Sequence, residues 1–134
     1  MTAETDLATL VRDLRPRTLP ATYVFCSLRD ANYGALPHTN PLACLAEPQG
    51  LTLVITKESA DLEGLTYQGT FRCISLQIHS SLEAIGLTAA VTGELATHGI
   101  SANVIAGYYH DHVFVPSRHA DLALRLLESM SSRR

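Results

Sequence analysis

Tryptophan is absent from this 134-residue chain, and lysine occurs only at Lys57. With a net charge of −3 and a pI near 6.0, the chain has no basic field to hold phosphates, so nucleic acid is not an expected partner. No apolar run reaches the ~18 residues a spanning helix needs, and Arg133 and Arg134, read as a solvated tail, are too few charges to hold a membrane surface. The acidic start (Glu4, Asp6) lacks the basic-then-apolar order of an export signal, which makes a cytoplasmic protein the expectation. Cys26, Cys44 and Cys73 are odd in number and widely spaced, against a disulfide framework or zinc knuckle. All three have apolar or strand-forming neighbours and are expected in the core as free thiols. Charged residues are 17% of the chain against ~25% in ordinary soluble domains, leaving apolar surface that a homodimer or higher homo-oligomer would cover.

What is present is periodicity. Leu7, Leu10, Val11 and Leu14 fall on one helical face, and Pro16 ends it. Ala21 to Leu28 is β-branched and aromatic enough for a strand, followed by a long loop, Arg29 to Pro41. Leu42 to Glu47 and Leu51 to Ile55 flank Pro48-Gln49-Gly50 as a hairpin, and Thr56 caps a short helix ending at Gly64. Phe71 to His79 alternates, with Ile74, Leu76 and Ile78 expected on a core face and Ser75, Gln77 and His79 on a polar one. Gly86 to His98 is an amphipathic helix stopped by Gly99. Strands at Ser101 to Ala106 and His112 to Val115 follow, and then a helix capped by Ser117 with the stripe Ala120, Ala123, Leu124, Leu127.

A strand pair followed by a helix occurs twice, at Leu42 to Glu63 and Ser101 to Met130. Helices on one face of antiparallel strands give an α+β, ferredoxin-like βαββαβ-type sandwich. Each half is an incomplete copy, the front lacking a leading strand and the back a closing one. The halves are therefore expected to share strands in one compact unit.

Two segments could carry chemistry. In HSSLEAIGL, between a strand end and a helix start, unpaired backbone N–H groups suit an anion such as a carboxylate. Ser80, Ser81 and Glu83 would add polar contacts, and Gly86 would admit a ligand close to the backbone. The plainer alternative is that Ser80 or Ser81 caps the helix while Glu83 meets its dipole. In Tyr108-Tyr109-His110-Asp111-His112 the two histidines stand at strand spacing for metal ligands, but no third ligand is in sight. The alternative there is a polar hairpin tip with an Asp-stabilised turn. No metal or cofactor is expected. No cysteine sits where its pKa would be lowered, and no phosphate loop, nucleophile elbow or dinucleotide fingerprint occurs, so catalysis is not expected.

The stretch Phe71 to Leu127, with HSSLEAIGLTAAV and then ISANVIAGYYHDHVFVP, resembles the ACT domain, a small ligand-sensing module attached to many enzymes of amino-acid metabolism. That family opens its first helix with an acid-x-Pro-Gly loop and its second strand with Gly-Ile-Asn. Here Glu83-Ala84-Ile85-Gly86 keeps the glycine without the proline, and Gly99-Ile100-Ser101-Ala102-Asn103 keeps the Gly-Ile pair. YVFCSL and LACLAEPQGLTLVITKESA look like a companion module of a stand-alone bacterial group built from two ACT-like halves, here residues 1–66 and 67–134. The resemblance implies an amino acid bound at a module interface by Ser80, Ser81, Leu82, Glu83, Ala84, Ile85, Gly86 and Leu87, facing Asn103, Val104 and Ile105. It implies a regulatory, non-enzymatic protein. The competing expectations are an assembly protein that keeps the fold without a ligand, and a metal-dependent enzyme built on His110 and His112.

Overall fold

The computed structural model describes residues 3–132; the expected tail at Arg133 and Arg134 lies outside them. Along the chain run α1 (Leu7–Arg12), β1 (Pro16–Leu28), a 3-10 turn (Pro37–Thr39), β2 (Ala43–Glu47), β3 (Gly50–Thr56) and α2 (Lys57–Leu62). There follow β4 (Phe71–Leu76), α3 (Leu87–Thr97), β5 (Asn103–Ala106), β6 (Asp111–Pro116), a 3-10 turn (Ser117–His119) and α4 (Ala120–Ser132). They build two compact units rather than the single one expected: Met1–Pro20 with Arg72–Arg134, and Ala21–Phe71. Both β1 and β4 are divided between the units.

In the first unit the strand order is β1-β4-β6-β5, so the start of β1 stands where a closing strand is missing from the back half. Asp6 caps α1 by accepting from the Thr9 N–H at 3.0 Å, and the helix buries Leu10. Leu10 and Leu14 join Ile74 and Leu76 of β4, Val91 and Leu95 of α3, and Ala123 and Leu127 of α4 in one core. Ser131 Oγ of α4 donates to the Val11 carbonyl at 3.1 Å. α3 turns Leu87, Val91 and Leu95 inward, as its spacing predicts, and its chain stops at Gly99 with φ +74°. In α4 the buried stripe is Ala120, Ala123, Leu127 and Met130, with Leu124 partly buried against the same core.

Two sequence expectations fail here. β1 begins at Pro16, not Ala21, because a proline at the first position of a strand gives up no needed ladder bond. At the second proline, Pro20, the Arg72 guanidinium donates to the neighbouring Leu19 carbonyl at 2.9 Å, supplying a partner where the ladder is interrupted. β4 ends at Leu76, short of His79, and its second face is not a solvated one: Cys73 is fully buried and Ser75 is 2% exposed.

In the second unit the order is β2-β3-β1, all antiparallel. Val24 and Cys26 of β1 meet Leu51, Leu53 and Ile55 of β3, with Ala60 of α2 closing that core. Glu47 pairs with Gly50, leaving Pro48-Gln49 as a two-residue turn. Thr56 caps α2 as expected, its Oγ1 accepting from the Ser59 N–H at 3.1 Å. Phe71, the first residue of β4, sets its ring edge-on to Phe25 at 5.3 Å. Cys26 is buried, but Cys44 is exposed, against the expectation of three core thiols. The reason is position: β2 is the outer strand, and Cys44 to Glu47 are all exposed. Antiparallel strands with helices packed on them make both halves ferredoxin-like α+β modules.

Candidate functional site

The chain leaving β4 does not enter α3 directly. Glu4 draws it into a parallel bridge with Ser80: the Glu4 N–H donates to the His79 carbonyl and the Ser81 N–H to the Glu4 carbonyl, both at 2.9 Å. Ser81 then builds a turn of its own, Oγ accepting from the Glu83 N–H at 3.1 Å and its carbonyl from the Ala84 N–H at 3.0 Å. Neither serine caps α3. The cap position is Gly86, with no side-chain hydrogen bond, and no acidic residue stands in the first turn, so Glu83 lies too far upstream to meet the dipole there.

Gly86 holds φ +98°, where only glycine is at ease. A Cβ built on it would lie 3.1 Å from Leu7 Cδ2, so the close approach that the sequence assigned to a ligand is made by Leu7 of α1. Leu87 points into the core at 4% exposure and Ala84 packs partly against it. Leu82 and Ile85 instead stand in solvent, at 68% and 86%.

Ser80, Ser81, Leu82 and Glu83 line a cavity of about 240 Å³ together with Ala3, His79 and Tyr108. A larger cavity of about 710 Å³ opens beside it, sharing His79 and Tyr108. Glu4, Arg15, Gln77 and Ile78 form part of its wall, and Tyr109 and His110 complete it. Asn103, Val104 and Ile105 line neither cavity; they form the outer strand β5, paired with Phe114, Val113 and His112 of β6. The structure therefore brings the first four loop residues together, and replaces the strand expected opposite them by the β5–β6 turn.

That turn is not the polar, Asp-stabilised tip expected. The Gly107 N–H donates to the His110 carbonyl at 2.9 Å, which leaves Tyr108 and Tyr109 as a two-residue tip. Asp111 is already the first residue of β6, opposite Ala106, and burial pushes its carboxyl above the ordinary 3.8, with His112 and His110 opposing. Tyr108 and Tyr109 meet edge to face at 5.0 Å, and His79 lies 5.2 Å from Tyr109 and 6.5 Å from Tyr108. Among the described residues no three His, Cys, Asp or Glu side chains converge on a metal position. Sequence reasoning missed Glu4, Arg15, Gln77, Ile78 and Tyr109 as cavity residues. The one legible signal was the pair of large aromatics at a hairpin tip, where Asn or Gly is usual.

Strands and helices of this order, with a helix-opening loop beside a cavity, define a small α+β module of the ferredoxin-like class. A family model of the ACT domain matches residues 2–72 and a second ACT-domain model matches residues 69–129. The chain belongs to the ACT domain family and carries two such modules, a class that is typically regulatory and binds small ligands. A Vibrio cholerae protein of unknown function, described as a possible transport protein, is 44% identical over 93% of this chain and 95% of its own, with a TM-score of 0.85. An Agrobacterium tumefaciens protein shares the fold at a TM-score of 0.71, with 18% identity over 87% of each chain. So does the regulatory subunit of aspartate kinase from Thermus flavus, at 0.61, with 12% identity over 86% of this chain and 95% of that one. No curated protein matches the chain significantly. No helix among the described residues is long and apolar enough to cross a membrane.

Proposed function

We propose that this chain is a non-enzymatic regulatory protein that binds a small amino acid at the loop from Ser80 to Leu87, with the repeats 1–66 and 67–134 acting as its two ACT modules. The observation that carries this reading is the cavity on Ser80, Ser81, Leu82 and Glu83, at the loop the family uses for ligands. The ligand's ammonium group would meet Glu83, and its carboxylate the helix N–H groups near Gly86 and Leu87. The kinship of fold with an aspartate kinase regulatory subunit favours the same reading. The buried thiols favour a binding role over a catalytic one, since burial pushes Cys73 up to about 12 and raises Cys26, leaving neither as a nucleophile.

Leu82 and Ile85 stand exposed beside the cavity. A second copy could cover them in a homodimer or higher homo-oligomer, and Asn103, Val104 and Ile105 of one protomer facing the loop of the other is the pairing this reading requires. Thermal unfolding in a panel of the twenty amino acids tests the reading, because a ligand at a hundred times its Kd adds about 2.7 kcal/mol to stability. A stabilising shift with one or two is expected, accompanied by a native mass corresponding to at least two chains. A flat response across the panel would rule out a free amino acid as the ligand.

A further inference from the structure

Arg15 lies between α1 and β1, and its conformation runs against local preference. It has φ +48° although it is not glycine and precedes Pro16, where extended backbone is favoured; such a residue costs on the order of 1 kcal/mol. Its neighbours hold it there: Leu14 is fully buried, and the Arg15 carbonyl accepts from the Gln77 N–H at 3.1 Å. Arg15 is exposed and is one of the residues lining the 710 Å³ cavity, and among the described residues no ion pair or hydrogen bond engages its guanidinium. The same cavity is lined by His79, Tyr108, Tyr109 and His110, whose neighbouring rings lie 5.0 to 6.5 Å apart. Tyr108 and Tyr109 are 73% and 62% exposed, on a turn that gains nothing from two large rings in water.

A cation without an ion-pair partner among the described residues, sharing a cavity of small-molecule size with exposed aromatic rings, selects its occupant chemically. We propose that this cavity is a second binding site, for a planar aromatic monocarboxylate whose carboxylate pairs with Arg15 and whose ring stacks on Tyr109 and His79. Arginine's fork suits a planar carboxylate, and offset or edge-on ring contacts are the preferred aromatic geometry. The single charge follows from Glu4, which lines the same cavity and whose Oε2 accepts from the Thr5 and Asp6 N–H groups at 3.0 Å; a second negative group on the occupant would meet its repulsion. This site is independent of the amino-acid reading, although it shares His79 and Tyr108 with the smaller cavity.

The test is calorimetric titration of the full chain with 4-hydroxybenzoate, alongside cyclohexanecarboxylate, which keeps the charge without the ring, and 4-hydroxybenzyl alcohol, which keeps the ring without the charge. Saturable binding of 4-hydroxybenzoate is expected, at least tenfold tighter than either comparator, with NMR shifts centred on the Tyr108 and Tyr109 rings. Arg15→Asn removes the charge with a residue that accepts positive φ, so the fold is kept, and it should weaken the probe at least tenfold. Tyr109→Ala should do the same, while both variants keep any stabilisation by amino acids. The proposal is overturned by absence of saturable binding, by equal affinity in Arg15→Asn, or by shifts that lie elsewhere. It is also overturned if Tyr108→Ser with Tyr109→Ser abolishes a concentration-dependent self-association while no probe binds, since the tip is then a contact between copies.

Discussion

The loop after β1 in the front module and the loop after β4 in the back module occupy equivalent places in the repeat, and their polar groups are bonded to different kinds of neighbour. From Arg29 to Leu42 the front loop closes on itself. Thr39 Oγ1 donates to the Leu36 carbonyl at 2.7 Å, Asn40 N–H to Pro37 at 3.1 Å, and Tyr33 Oη accepts from the Ala46 N–H of the outer strand at 3.1 Å. Left-handed backbone at Asp30, Leu36 and Asn40 accompanies this tight path. The back loop instead opens onto two cavities, displays Leu82 and Ile85, and faces an arginine without an ion-pair partner among the described residues. One loop is tied by its own hydrogen bonds and the other borders two cavities, and the proposed binding at the back module rests on that difference.

The comparison can be broken most forcefully at Leu10, which ties the N-terminal helix to the back module's core. Leu10→Ala should cost about 2–5 kcal/mol in urea unfolding, with amide exchange accelerating in Arg72–Ser132 more than in Ala21–Phe71. Equal acceleration in both units would show that α1 does not belong to the back core in particular. The front module has its own weak point at Gly50, where an added Cβ would lie 2.8 Å from Ser27 Oγ and 2.9 Å from the Leu28 carbonyl oxygen. Gly50→Ala should cost about 1–3 kcal/mol and spare the back-loop cavities; unchanged stability would mean that β1 and β3 can part without loss.

A smaller effect sharpens the electrostatics of the aromatic hairpin. Asp111 titrates above its ordinary 3.8 because burial disfavours the charged form, so the folded state holds this proton more tightly than the unfolded chain does. Its stabilising contribution is full below the unfolded pKa and is lost as pH rises through the folded one. Asp111→Asn should therefore flatten the pH dependence of stability as pH rises above the ordinary 3.8, where wild type loses stability; an unaltered slope would assign that loss to another group. The smallest effect carries no stability change: one thiol per native chain, Cys44, should react quickly with an aromatic disulfide reagent, and all three should react in denaturant. Rapid reaction of Cys26 or Cys73 in the native protein would contradict their burial.

The fold was largely legible because its signals are local. The i, i+3, i+4 spacing of Leu7, Leu10, Val11 and Leu14, the cap at Thr56, the stop at Gly99 and the turn near Gly50 depend on neighbours in sequence. The ACT-like motifs around Gly86 and Gly99 placed those elements in a family. Errors arose where distant partners decide. The first strand reads as starting at Ala21 until Arg72, 52 positions from Pro20, is seen to serve the Leu19 carbonyl. Cys44 reads as core until β2 is known to be the outer strand. Gly86 reads as room for a ligand until Leu7 fills it.

By itself, then, the sequence determined the α+β class, the two-module repeat and a loop at Ser80 to Glu83, since periodicity and turn chemistry act over a few residues. Only the tertiary structure decided which strand faces solvent, that residues 3–20 pack with the back module, and that Arg15, Glu4, His79 and the Tyr108-Tyr109 tip surround one cavity. Those residues lie up to 105 positions apart, and their meeting is fixed by the core that Leu10, Ile74, Leu95 and Leu127 share.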